Sequence, residues 1–125
     1  MAQALAGKRI LVVEDEYYIA SDLKRALVRA GAVPVGPTGD LPDALSLAAD
    51  DAVDAALLDV NLEGATSYPV ADLLAERSVP FVFLTGYDGW ALPPAYRDAP
   101  RVAKPFGVDQ VMGALERLVG AEVAS

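Results

Sequence analysis

The sequence contains no cysteine and no histidine. The first absence excludes a disulfide framework, a thiolate nucleophile and cysteine metal sites. The second removes serine–histidine triads, histidine–zinc centres and histidine general bases. Any catalysis by this chain must run on carboxylates, hydroxyls, lysine or an oxygen-ligated metal. Positive charge is also scarce, with 10 Lys and Arg against 18 Asp and Glu, a net charge of −8. A basic footprint for nucleic acid is therefore missing, and no nucleic-acid partner is expected. The acidic balance suits a protein that attracts divalent cations or basic partner surfaces. No apolar run exceeds strand length, so no membrane span is expected. The opening Met1-Ala2-Gln3-Ala4-Leu5-Ala6-Gly7 lacks the charged start and long apolar stretch of a signal peptide. Cytoplasm is the default expectation.

What is present fits one domain. The 125 residues are 54% apolar, enough for a normal core without staples. Ile10-Leu11-Val12-Val13 reads as a strand buried on both faces. Ile19, Leu23, Leu27 and Ala30 then share a helical face closed by Gly31. Val33 to Val35 is a weaker, Pro-containing strand suited to an edge. Asp40 reads as an N-cap, with Pro42 early in a helix that turns Leu41, Ala44, Leu45 and Ala48 inward. Ala55-Ala56-Leu57-Leu58 is a third strand, and Thr66 or Ser67 caps a helix carrying Val70, Leu73 and Leu74. Phe81-Val82-Phe83-Leu84 is a fourth strand. The stretch from Tyr87 to Pro100 is a poor helix, interrupted by Gly89, Pro93 and Pro94. Val102-Ala103 is a short fifth strand, followed by a helix with Val108, Val111, Met112, Leu115, Leu118 and Val119 at helical spacing. Five strands alternating with five helical segments predict an α/β fold, a parallel sheet covered on both faces.

In such sheets the ligand site lies at the carboxyl ends of the strands. Glu14-Asp15 follows the first strand, Asp59 the third, Thr85-Gly86 the fourth and Lys104-Pro105 the fifth. Taken singly, each reads as a loop acid, a turn residue, a strand end or a solvated lysine. Taken together, they put three carboxylates, a hydroxyl and an ammonium at one edge. Clustered carboxylates raise each other's pKa unless a cation compensates. Mg²⁺, or Mn²⁺ in its place, suits an all-oxygen site. A carboxylate there is also a nucleophile toward phosphorus. The metal and Lys104 would neutralise charge on a transferring phosphoryl group, Thr85 would donate a hydrogen bond to it, and Gly86 would leave it room. With no histidine, the chain is the acceptor in such a transfer and not a phosphohistidine donor.

Four segments carry a resemblance: Val12-Val13-Glu14-Asp15-Glu16, Leu57-Leu58-Asp59-Val60-Asn61-Leu62, Phe83-Leu84-Thr85-Gly86-Tyr87 and Lys104-Pro105-Phe106. In this order and spacing they resemble the CheY-like receiver domains of response regulators, over nearly the whole chain. The resemblance implies a flavodoxin-like, doubly wound five-stranded sheet of order 2-1-3-4-5 and phosphotransfer to Asp59 in two-component or phosphorelay signalling. It implies Mg²⁺ held by Glu14, Asp15, Asp59 and the backbone carbonyl of Asn61. Thr85 and Lys104 would contact the phosphoryl group, while Asn61 and Tyr87 would flank it and tune its hydrolysis. Lys104-Pro105 is expected to be a cis bond. Phe83-Leu84-Thr85-Gly86-Tyr87 further resembles the signature of the FAT GUY receivers, with Leu84 in the Ala position. These often stand alone and partner sensor histidine kinases of the HWE or HisKA2 type. The chain departs from many receivers at Arg101, where a switch Tyr or Phe is usual. Tyr87 is the candidate replacement, and residues 87–100 are the expected moving element.

The single receiver is expected to fill residues 1–125, with its core at about 8–120 and no output domain. Donation would come from a sensor histidine kinase or a histidine phosphotransferase. The downstream protein is open, and so are three roles: relay, phosphate sink and protein-binding switch. The family's docking face suggests Tyr18, Ile19 and Asp22 with Pro105 and Phe106. Tyr17 and Tyr18, being adjacent, cannot both face the core of one helix. The broken fourth helix predicts a monomer or weak dimer. No enzyme activity is expected beyond self-phosphotransfer and autodephosphorylation. Two alternatives stand beside this reading. One is a non-phosphorylated pseudo-receiver used for binding. The other is a Mg-dependent aspartate-nucleophile phosphatase, although that class places its Asp on the first strand with a second Asp two residues on, where this chain has Asn61.

Overall fold

The structure, a computed structural model, describes residues 4–50, 52–86 and 92–124, the last four of these by backbone alone. Its strands are β1 (Arg9–Val13), β2 (Val33–Thr38), β3 (Ala55–Asp59), β4 (Asn61–Leu62), β5 (Ala65–Thr66), β6 (Phe81–Thr85) and β7 (Arg101–Ala103). Its helices are α1 (Tyr17–Arg29), α2 (Leu41–Ala48), α3 (Tyr68–Glu76) and α4 (Val108–Ala124). Five strands form one parallel sheet in the order β2-β1-β3-β6-β7. Counting only these strands gives the expected order 2-1-3-4-5.

The apolar runs are continuous because both faces of the sheet are covered, yet the faces still separate with period two. Leu11, Val13, Ala56, Leu58 and Phe83 point into a core shared with Ala44 and Ala48 of α2 and Val70, Ala71 and Leu74 of α3. Ile10, Val12, Ala55, Leu57, Val82 and Leu84 point into a second core with Leu23 and Leu27 of α1 and Val111, Leu115 and Val119 of α4. Of the predicted inward positions, Ile19, Ala30, Leu41, Leu45, Leu73, Met112 and Leu118 are half-buried against these cores. Asp40 caps α2 as predicted, its Oδ2 accepting from the Asp43 N–H at 3.0 Å. Ser67 occupies the N-cap of α3 without a side-chain capping bond.

Three features differ from expectation. β2 runs on through Pro34 and Pro37 to Thr38. An edge strand tolerates the missing donors, and β2 is an edge of the sheet. β4 and β5 form a small antiparallel hairpin directly after Asp59. Two-residue strands are too short for periodicity to reveal. The fourth helical segment is reduced, among residues 92–100, to one 3₁₀ turn at Pro94–Tyr96. Pro93 and Pro94 remove two successive backbone donors there. Side chains add to the backbone bonds of that turn: Tyr96 packs on Tyr68, Phe81 and Phe83, and its hydroxyl donates to Asp72.

Candidate functional site

Parallel pairing aligns the strand ends. Val13 lies opposite Leu58, Asp59 opposite Leu84, and Thr85 opposite Ala103. Glu14 and Asp15 follow β1, Asp59 and Thr85 end β3 and β6, and Lys104 follows β7. One oxygen from each of Glu14, Asp15 and Asp59 lies within 4.8 Å of the others. Lys104 reaches across them, its Nζ 3.2 Å from Glu14 Oε1 and 3.2 Å from Asp59 Oδ2. Glu14, Asp59 and Thr85 are buried, Lys104 is half-buried, and Asp15 and Asn61 are exposed. An open cleft of about 370 Å³ is lined by Asp15, Glu16, Asp59, Asn61, Gly86 and Lys104.

Burial sets the electrostatics. Desolvation, reinforced by Asp59, pushes the Glu14 carboxyl from 4.5 up to about 7. Desolvation also raises Asp59, against the lowering effects of a hydrogen bond to Glu14 and of the nearby Lys104 charge. Lys104 is itself raised: burial opposes its charge, but Glu14 and Asp59 favour it more strongly. One ammonium thus faces two buried carboxylates, Glu14 and Asp59, and an exposed one, Glu16.

A hard divalent cation fits this donor set. Glu14 Oε1 is buried and accepts no hydrogen bond of good geometry, although Lys104 Nζ stands nearby. Such an oxygen is costly unless a charge-bearing partner completes it. Glu14, Asp15 and Asp59 supply oxygen ligands on one side, and the open cleft leaves room for waters on the other.

Comparison with known proteins agrees with this geometry. SdrG from Sphingomonas melonis Fr1 superposes with a TM-score of 0.77 at 44% identity, covering 93% of this chain and 98% of that one. SdrG is also known in a BeF3-activated conformation. The receiver domain of the sensor histidine kinase PA1611 from Pseudomonas aeruginosa PAO1 superposes with a TM-score of 0.73 at 25% identity, covering 92% and 99%. That domain has a magnesium ion coordinated in its active-site cleft. The chain belongs to the response regulator receiver family. The transcriptional regulatory protein PdtaR of Mycobacterium tuberculosis is 32% identical over 122 residues, 94% of this chain. The receiver spans 60% of PdtaR's length. No protein-family model matches the chain.

The fold brings together Glu14, Asp15, Asp59, Asn61, Gly86 and Lys104 around one cleft, with Thr85 beside them at the end of β6. The Asn61 N–H donates to Asp59 Oδ1 at 3.3 Å. Lys104-Pro105 is cis. Tyr87 lies outside the described residues. Of the docking candidates, Ile19, Asp22, Pro105 and Phe106 line a second cleft of about 380 Å³ with Glu16, Lys104 and Val108. Tyr18 is not part of that lining and stands 80% exposed beside Tyr17 at 76%. Neither tyrosine faces the core. Arg101 is exposed on β7 and turns back to donate to the Arg97 carbonyl at 2.9 Å.

Sequence reasoning missed Glu16, whose Oε2 lies 3.5 Å from Lys104 Nζ. The run Glu14-Asp15-Glu16 was the signal for it. It also missed the Glu63 N–H, which donates to Asp15 Oδ2 at 2.8 Å. A backbone amide reached across 48 positions leaves no mark in residue type. Among the described residues, no helix is long and apolar enough to cross a membrane.

Proposed function

We propose that this receiver takes a phosphoryl group onto Asp59 from the phosphohistidine of a sensor histidine kinase or a histidine phosphotransferase. The observation that carries the proposal is the setting of the Asp59 carboxylate. It ends a central strand, is buried among two other acids, and is held from both sides by the Asn61 N–H and Lys104 Nζ. An Asp59 oxygen would attack phosphorus, the new O–P bond forming as the P–N bond breaks and the imidazole nitrogen leaves with the electron pair. Lys104 would move its charge from the carboxylate to the transferred phosphoryl oxygens, and the Thr85 hydroxyl would donate to another of them. Gly86 borders the cleft without a side chain to crowd the group. Mg²⁺ held by Glu14, Asp15, Asp59 and the Asn61 carbonyl would supply positive charge to the same oxygens.

The proposed turnover is limited to this self-phosphotransfer and the later hydrolysis of the aspartyl phosphate. Phe83-Leu84-Thr85-Gly86-Tyr87 supports placing the chain in the FAT GUY subgroup, and so a kinase of the HWE or HisKA2 type. The 3₁₀ turn at Pro94–Tyr96, in the segment where other receivers pair through a fourth helix, favours a monomer or weak dimer. The setting would be the cytoplasm, where the kinase's catalytic part resides.

Two measurements test the reading. Beryllofluoride should bind only with Mg²⁺ present and not at all in Asp59→Asn. Phosphate should pass from a candidate phosphorylated kinase to wild type and not to that variant. A wild-type protein that shows neither refutes the proposal. Chase kinetics then separate the roles: phosphate passed onward marks a relay, rapid loss a sink, and a long-lived phosphate a binding switch.

A further inference from the structure

We propose that Gly39 and the backbone amide of Glu63 are positioning elements for the Asp15 carboxylate, setting metal affinity without touching the ion. The inference rests on the reading of Glu14, Asp15 and Asp59 as a cation site.

Asp15 is the least enclosed of the three carboxylates. Glu14 and Asp59 are buried at strand ends and fixed by packing, whereas Asp15 is exposed between β1 and α1. Two remote segments close on it. The β4–β5 hairpin brings the Glu63 N–H to Asp15 Oδ2 at 2.8 Å. The connection from β2 to α2 brings Gly39 so near that a Cβ added there would lie 2.5 Å from Asp15 Cβ and 2.6 Å from Asp15 Cα. No real Cβ tolerates that approach, and the obstructing atoms are not the tip of a flexible side chain. Something must move.

Asp15, whose Cα and Cβ are the obstructing atoms, shares in whatever shift relieves the contact. The connection carrying Gly39 is anchored by the Glu14 N–H on the Thr38 carbonyl at 2.9 Å and by the Asp40 N–H on Thr38 Oγ1 at 3.2 Å. Asp40 is tied in turn to the first turn of α2. Asp15 has the Glu63 amide on its carboxylate and solvent around it. Mg²⁺ demands near-ideal octahedral geometry at about 2.0–2.1 Å, so a displacement of a few tenths of an ångström is felt as lost affinity. Outer contacts that orient metal ligands are worth roughly 10- to 100-fold in affinity.

The hairpin permits removal of the other contact. Glu63 and Gly64 are the two turn residues between β4 and β5, and Gly64 has φ +79°. A turn whose second central residue has positive φ accepts proline at the first, and Leu62 before it is already extended. Glu63→Pro therefore removes the N–H and keeps the turn, and because its Cδ takes the hydrogen's place the Asp15 carboxylate must also move off the amide position. Glu63→Gln removes the same charge and keeps the N–H.

Calorimetric titration of the full chain with Mg²⁺ alone tests the proposal, with folding of each variant checked by thermal melting in chelator. Gly39→Ala and Glu63→Pro should each weaken Mg²⁺ roughly 10-fold or more, and Glu63→Gln should bind as wild type does. In an Asp15→Asn background, Gly39→Ala should cause no further loss. The proposal is overturned if Gly39→Ala and Glu63→Pro bind as wild type while Asp15→Asn binds weakly. It is equally overturned if Gly39→Ala costs as much with Asp15→Asn as without it, since that marks general loosening. Should Gly39→Ala not fold, wild-type binding by Glu63→Pro overturns the proposal by itself. A folded wild type that binds no Mg²⁺ removes the cation-site reading itself, and the positioning role with it.

Discussion

Glu14 holds its proton to a pH of about 7, where an ordinary glutamate gives it up near 4.5, and burial is the main cause. Between those values the metal-free native state binds more protons than the unfolded chain, so its stability falls as pH rises. The Glu14 contribution is complete below about 4.5 and lost above about 7. Denaturant titrations in chelator should show this decline, and saturating Mg²⁺ should flatten it, because the cation replaces the proton. A slope that is the same with and without Mg²⁺ would show that the acids do not share a cation. Asp59→Asn tests the crowding from the other side. It removes one of three clustered carboxylates, so in chelator it should raise stability by about 1 kcal/mol. The same variant should lose the Mg²⁺-dependent rise in melting temperature seen in wild type.

Short segments without a periodic pattern are where the sequence was hardest to read. The five sheet strands and four α-helices followed from apolar runs, helical spacing and caps such as Asp40, and the strand-end residues followed from the sheet. The β4–β5 hairpin did not, because it is too short to have a period. The packing of residues 92–100 did not either, because Pro93 and Pro94 interrupt the helical pattern while Tyr96 joins an aromatic cluster formed by distant residues. Tyr96 therefore acts as the anchor of this segment on α3 and β6. Burial and the Asp72 carboxylate push its phenol up to about 12, so it stays a neutral donor at any physiological pH. Tyr96→Phe keeps the ring packing and should cost about 1 kcal/mol or less for the lost hydrogen bond. Tyr96→Ala should cost about 2–4 kcal/mol and speed amide exchange across residues 92–100. Equal effects of the two variants would show that the ring packing contributes nothing.

The whole molecule is strongly acidic, yet its second cleft has an apolar floor made by Ile19, Pro105, Phe106 and Val108, beside Lys104. The cleft thus adjoins the site through Lys104 and Glu16, which line both. A donor helix resting on Ile19 and Phe106 would bring its phosphohistidine to the opening above Asp59. In the proposed transfer, charge and contact would act at different stages. A net charge of −8 would steer a basic donor surface over distances longer than contact, and salt would screen it within about 10 Å at 0.1 M. The apolar cleft acts only once the surfaces meet, where salt has little effect. Transfer from a kinase should therefore slow as salt is added, in wild type and in an Ile19→Ala and Phe106→Ala double variant alike. The double variant should lose rate at every salt concentration, by about 10-fold for two truncated apolar contacts. Phosphorylation by acetyl phosphate, which needs no docking surface, should proceed equally in both proteins. A double variant that accepts phosphate from the kinase at the wild-type rate would move the docking site away from this cleft. One slowed equally with acetyl phosphate would mean that the substitutions had disturbed Lys104 and the site itself.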